Sequence, residues 1–233
     1  MRRIATITAA LAAAFAVNSA QALVLLVDDF AAPAVGVSVF DNAGTGASST
    51  TLAPSAVASS RTVTHTLLTA GAVGSNSTGV LSSASIGGPF NFPAGQLNTA
   101  NANQVDSNVS VEWTLNSIVV GSPASFFFNV VQNNVGTPAA PGNKIEAFLD
   151  NVSLGFIYAT TNTPGNVSFA LSAGDIANLA TAGTLFRVEF SGDEGWDMSV
   201  DTFGLTVPEP TSLALVGLAL VGAGVASRRR MVK

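Results

Sequence analysis

Over most of its length this chain exchanges apolar for polar residues with a period of two, a pattern that admits strands with one buried face and little else. Val109, Val111, Trp113 and Leu115 alternate with Ser110, Glu112, Thr114 and Asn116. Val63, His65 and Leu67 alternate in the same way with Thr62, Thr64 and Thr66. Residues 125–132, around Phe126-Phe127-Phe128, read as a more fully buried strand. Residues 145–149 and 152–159 flank Asp150-Asn151, a pair suited to a tight hairpin turn. Residues 167–171, 184–190 and 196–206 add three more strands, and 42–49, 71–79, 87–103 and 133–143 read as turn-rich connections. One short helix is expected after Ser172, where Asp175 completes a capping box and Gly183 supplies a stop. The fold class is therefore all-β: an antiparallel β-sandwich, jelly-roll-like, with one short helix.

No cysteine occurs in the 233 residues, which excludes disulfides, thiolate metal sites and a cysteine nucleophile. Stability must come from an apolar core. A body of roughly 185 residues can supply one, burying about 70% of the surface its unfolded chain exposes. Residues 23–206 hold thirteen acids against Arg61, Lys144 and Arg187, a net charge of −10. Such a body repels phosphate backbones, so nucleic acid is excluded as a partner.

The two ends differ from the body. Arg2-Arg3, the uncharged stretch from Ile4 to Val17 and the A-x-A signal Ala20-Gln21-Ala22 form a secretory signal peptide. Residues 1–22 are thus a signal helix, with Leu23 as the first mature residue. At the other end Pro208-Glu209-Pro210 precedes a chargeless segment, closed by Arg228, Arg229 and Arg230. A helix of about 16 residues spans only about 24 Å, short of the ~30 Å hydrocarbon core. This C-terminal transmembrane helix is a weak span, with its arginines held on the cytoplasmic side.

Pro-Glu-Pro, apolar helix and arginine cluster in that order resemble the PEP-CTERM sorting tail. The resemblance covers residues 207–233 alone. It implies an exported precursor held transiently at the inner membrane, then processed near Pro208-Glu209-Pro210 by an exosortase-type protease in bacteria that make exopolysaccharide. The organisation is then signal peptide 1–22, β-sandwich 23–206 and sorting segment 207–233, with the product at the cell surface or secreted.

Chemistry-bearing residues in the body are sparse. His65 is the single histidine, on a strand between Val63 and Leu67, and reads as a packed residue rather than a catalyst. No G-x-S-x-G elbow, H-E-x-x-H, P-loop or G-x-G-x-x-G occurs. The leading expectation is a non-enzymatic surface or matrix protein associated with exopolysaccharide. A carbohydrate-binding module is the first alternative, with Trp196 and Tyr158 as stacking platforms. Its structural Ca²⁺ would lie at Asp28, Asp29 and Asp201, where first and last strands meet. A glycoside hydrolase using Glu112 and Glu189 is the second alternative, and needs the two acids to face each other across a cleft about 5–9 Å apart.

Overall fold

The computed structural model describes residues 23–31, 37–41, 46–69, 77–82, 95–101, 105–134, 142–159 and 165–207. Ala20 and Ala22 of the signal, and Pro208, Glu209, Pro210 and Arg228–Arg230 of the tail, lie outside them, as do both terminal helices expected from the sequence. Among the described residues no helix is long and apolar enough to cross a membrane.

In chain order the strands are β1 (Leu23–Asp28), β2 (Val37–Asp41), β3 (Ala47–Leu52), β4 (Ala58–Thr69), β5 (Ser77–Ser82), β6 (Gln96–Asn101), β7 (Asp106–Leu115), β8 (Ser125–Asn134), β9 (Asn143–Leu149), β10 (Val152–Ala159) and β11 (Gly165–Ala170). The helix α1 (Ala173–Leu179), β12 (Thr184–Ser191) and β13 (Asp197–Val207) complete the body. One sheet has six strands in the order β10-β9-β12-β7-β4-β3. The other has seven, β11-β8-β13-β6-β5-β2, with β1 also paired to β13. All pairings within both sheets are antiparallel. The antiparallel sandwich expected from the alternation is what forms.

The alternation also sets the interior. In β7, β9 and β12 every second residue is buried. Trp113 and Phe186 come from the six-stranded sheet, and Phe126, Phe128 and Phe203 from the seven-stranded one. Phe203 stacks on Phe128 at 4.7 Å and on Phe186 at 4.8 Å, with Trp113 tilted against it at 4.6 Å. These rings bind sheet to sheet, and pairs of this kind add about 0.5–1.5 kcal/mol beyond burial.

The strand β13 is the seam of its sheet. From Asp197 to Thr206 it pairs with β8 along one side, interrupted at Asp201. On the other side its first half pairs with β6 and its second half with β1, from Asp28↔Phe203 to Leu23↔Val207. First and last strands are therefore neighbours, as the sequence suggested. A bulge between Leu26 and Asp28 lets the consecutive residues Val27 and Asp28 both turn inward, each with no exposure.

Asp28 is the centre of a buried polar knot. Its Oδ1 accepts from Phe30 N at 2.8 Å and from Arg61 Nη1 at 2.7 Å. Its Oδ2 accepts from the same Nη1 at 2.6 Å and from Trp113 Nε1 at 2.7 Å. Asp28, Arg61 and Trp113 have no exposed surface, and the Arg61 guanidinium also lies 5.3 Å from the Phe30 ring centroid. Arg61 and Trp113 are register partners on β4 and β7, so the acid from β1 joins the two sheets.

Two local readings differ in detail. The hairpin at Asp150-Asn151 forms with both residues at positive φ (47° and 66°), the type I′ requirement. The capping box at Ser172 and Asp175 also forms. Gly183, however, does not stop the helix: α1 ends at Leu179, and Ala180 caps it in the right-handed region. Gly183 is instead drawn to the sheet, its N–H donating to Leu115 O at 2.8 Å.

Removing one member of a buried ion pair strands the other. Asp28→Ala should cost about 3–5 kcal/mol of unfolding free energy in a urea titration, whereas an apolar replacement of both Asp28 and Arg61 should recover most of it.

Candidate functional site

The outward face of the six-stranded sheet groups five charged and three aromatic side chains that the core does not use. On β9, Ile145, Ala147 and Leu149 point inward, so Lys144, Glu146 and Phe148 point out. On β12, Arg187 and Glu189 share that outer face, and Glu112 holds it on β7. The edge strand β10 adds Phe156 opposite Glu146 and Tyr158 opposite Lys144. Beyond β7 the face continues in hydroxyls: Ser110, then Thr62 and Thr64 of β4, then Ser48 and Thr50 of β3.

Register fixes what each group meets. Arg187 lies between Phe148 on one neighbouring strand and Glu112 on the other. Its guanidinium carbon sits 4.5 Å from the centroid of the Phe148 ring. Its Nε is 3.3 Å from Glu189 Oε1, an ion pair whose N–H is not aimed along a hydrogen bond. Glu189 stands opposite Glu146, a like-charge pairing that costs stability on its own. The neighbouring cations offset it. Lys144 Nζ bonds Glu146 Oε2, which raises the lysine pKa and lowers that of the glutamate. Ser153 Oγ donates to Glu146 Oε1 at 3.1 Å. Lys144 Nζ also lies 5.0 Å from the Phe156 centroid, and Phe156 meets Tyr158 edge-on at 5.5 Å. Phe156 is 55% exposed and Tyr158 40%. The face is thus open to solvent, with its charges paired at the aromatic end.

Of the residues singled out in the sequence, Tyr158, Glu112 and Glu189 meet on this face, and Trp196 does not. Trp196 has no exposed surface, and its indole donates to Ser107 O at 3.0 Å. Gly195, at φ 74°, folds the preceding turn back so that its N–H reaches Val105 O at 2.8 Å, and the ring is carried inside. Glu112 and Glu189 stand on adjacent strands of one sheet face with Arg187 beside both, rather than on opposite walls of a cleft.

The acids proposed for calcium are otherwise placed. The four bonds accepted by Asp28 fill the lone-pair positions of a carboxylate. Asp29 Oδ1 caps Ala31 N at 3.0 Å. Asp201 lies where successive register shifts interrupt β13 between Ser199 and Thr202. Among the described residues no group of three or more His, Asp or Glu is arranged to hold a metal ion.

The acids Asp193, Glu194 and Asp197, close together in the sequence, have separate surroundings. Asp197 joins a polar network at the sandwich end, accepting from Asn101 N at 2.9 Å and from Asn134 Nδ2 at 3.3 Å, and burial raises its pKa against both bonds. Asp106 is raised by burial as well, helped by the nearby charges of Asp193 and Glu194.

The sequence reading missed Phe148, Phe156, Arg187, Lys144 and Glu146. A signal was present: Phe148 stands in the polar phase of an otherwise strictly alternating strand, where burial cannot account for it.

His65 is fully buried on the inner face of β4, and among the described residues neither ring nitrogen makes a hydrogen bond of good geometry, the Val39 main chain acting on the ring without one. Burial pushes its pKa down, opposed only in part by the Asp41 carboxylate and the Val39 main chain. The unfolded chain therefore binds the imidazole proton more readily than the native one. Its contribution to stability is complete above the unfolded value of about 6.5, is lost as pH falls below it, and levels off once pH passes the folded value. Denaturant titrations between neutral and mildly acid pH should show this decline, and His65→Leu should flatten it.

Comparison with known proteins adds the following. Residues 206–230 match the family model of the PEP-CTERM protein-sorting motif. No curated protein sequence matches the chain. Among solved structures, a family 29 carbohydrate-binding module in complex with mannohexaose is similar at 13% identity and a TM-score of 0.30, covering 62% of this chain and 92% of that one. The CBM36-1 domain of a multidomain xylanase from the hindgut metagenome of Trinervitermes trinervoides reaches 14% identity and 0.29, covering 60% of this chain and 95% of that one. TmCBM61 in complex with β-1,4-galactotriose reaches 11% and 0.27, covering 76% of this chain and 89% of that one. Likeness at these TM-scores carries no inference about ligand or activity. The match at residues 206–230 does identify the tail: this is a protein with a C-terminal PEP-CTERM sorting motif.

Proposed function

We propose that the chain is made as an exported precursor, held at the inner membrane by its tail until an exosortase-type enzyme processes it. The released product is a non-enzymatic cell-surface or matrix protein associated with exopolysaccharide. The observation that carries this reading is where the motif begins. It starts at Thr206, and β13 ends at Val207. A cut at or beyond Pro208 would therefore remove the tail without taking a strand from either sheet. Leu23, the first residue expected after signal cleavage, is the register partner of Val207. The described residues next to both processing points then lie at one corner of the sandwich, and the product keeps every described ladder.

The body suits the destination. Its charge of −10 keeps it soluble and away from phosphate polymers. The open outer face of the six-stranded sheet, aromatic at one end and hydroxyl-rich at the other, is the surface for polysaccharide contact.

The test is the intact mass of the protein recovered from the envelope and from the medium, for the wild type and for a variant with Pro208, Glu209 and Pro210 all changed to alanine. The wild-type medium should contain a form that starts at Leu23 and ends near Pro208, and the variant should not yield it. Wild-type protein that keeps its tail through Lys233 in both fractions would sink the sorting reading.

A further inference from the structure

We infer that the outer face of β10, β9 and β12 is a glycan-binding site whose ligand is an uncharged polysaccharide lying across the strands. This rests on the polysaccharide-associated reading above and adds the site and the ligand class. Three features of the face carry it.

The first is the aromatic end. Phe156 and Tyr158 expose apolar rings on the solvent side of the sheet, and Phe148 sits beneath Arg187 in the next strand. Their placement contributes nothing to the core, because the inward phase of β9 is already filled by Ile145, Ala147 and Leu149. Such rings match the apolar C–H faces of pyranose sugars.

The second is the state of the charges. Lys144 is paired with Glu146, and Arg187 with Glu189, while Glu112 stands opposite Arg187. Three acids and two bases leave the patch at −1. A polyanionic glycan would have to separate one of these pairs and lie beside the remaining carboxylate. Neutral hydroxyls can donate to the carboxylates and accept from the cations with every pair left in place.

The third is the continuation of the face. One register row runs Phe156, Glu146, Glu189, Ser110, Thr64, Ser48 across all six strands. Strands lie about 4.8 Å apart, close to the length of one sugar in an extended chain, so β10 can offer a ring and each of the other five strands a polar contact to successive sugars.

The experiment is a binding titration of the full-length chain in a polyoxyethylene-ether detergent. The probes are hydroxyethylcellulose and galactomannan as neutral glycans and alginate as a polyuronate. The proposal expects at least one neutral glycan to bind and alginate not to. Phe156→Ala with Tyr158→Ala should weaken the neutral glycan at least tenfold. Tyr158→Trp should keep the binding, and so should Val24→Ser with Leu26→Ser on the other sheet. The alanine changes are on exposed side chains and should leave the thermal unfolding midpoint nearly unchanged, which separates lost binding from lost folding.

Alginate binding as tightly as the neutral glycans would overturn the ligand class while leaving polysaccharide association intact. Binding to none of the three would overturn both. Neutral-glycan binding unaffected by the double alanine variant would overturn the site. Concentration-dependent dimerisation abolished by that variant, without glycan binding, would reassign the face to self-association and overturn the proposal. All of these readings are independent of whether the tail is cleaved.

Discussion

The structure turns on a carboxylate placed where water cannot reach it. Asp28 arrives on the first strand of the seven-stranded sheet and meets Arg61 and Trp113 from the six-stranded one. Taking two charges out of water costs several kcal/mol per ion, so the pair gives weak net stability compared with an apolar filling of the same space. What it gives is position. A first strand shifted by one residue so that Val27 replaced the acid would leave the guanidinium facing an apolar side chain, so that alternative pairing of β1 with β13 is disfavoured. The bulge before Asp28 belongs to the same arrangement, because without it Val27 and Asp28 could not both face inward.

From that point the rest follows in layers. The aromatic rings around Trp113 and Phe203 fill the space between the sheets. With the inner faces used up, the outer face of the six-stranded sheet is left to carry the charged and aromatic residues that β9, β10 and β12 hold in their polar phase. The candidate site is thus the complement of the core: the same alternation that buries Ile145, Ala147 and Leu149 exposes Lys144, Glu146 and Phe148.

How much of this could be read from the chain depended on whether the buried phase is apolar. The strands β4, β7, β9 and β12, the I′ hairpin and the capping box were legible, because each obeys one local rule. The strand β6 lies wholly, and β3 and β5 each by half, in segments read as turns. In β6 the buried positions include Asn98, Thr99 and Asn101, which a hydrophobic count cannot see. Asn101 is satisfied inside by Ser107, Trp196 and Asp197, residues far from it in the chain or on another strand. Trp196 misled for a related reason: a glycine-rich polar turn suggests exposure, but the turn folds back and buries the ring. The partnership of Asp28 with Arg61, 33 residues apart, has no local signature. Of the site, Tyr158 and the two glutamates were visible as strand residues, whereas the grouping with Arg187 and Phe148 needed the strand order.

The pairing of Leu23 with Val207 also decides how the body would carry load. A tether drawn from the end of β13 would pull along that strand, and its final residues are flanked by β1 and β8. The hydrogen bonds of both ladders would then be loaded together, in shear, instead of parting one at a time as at a peeled edge. Load applied to the six-stranded sheet would reach the same strand through the packed rings and the Asp28 knot, so the outer face of that sheet and the end of β13 are mechanically in series.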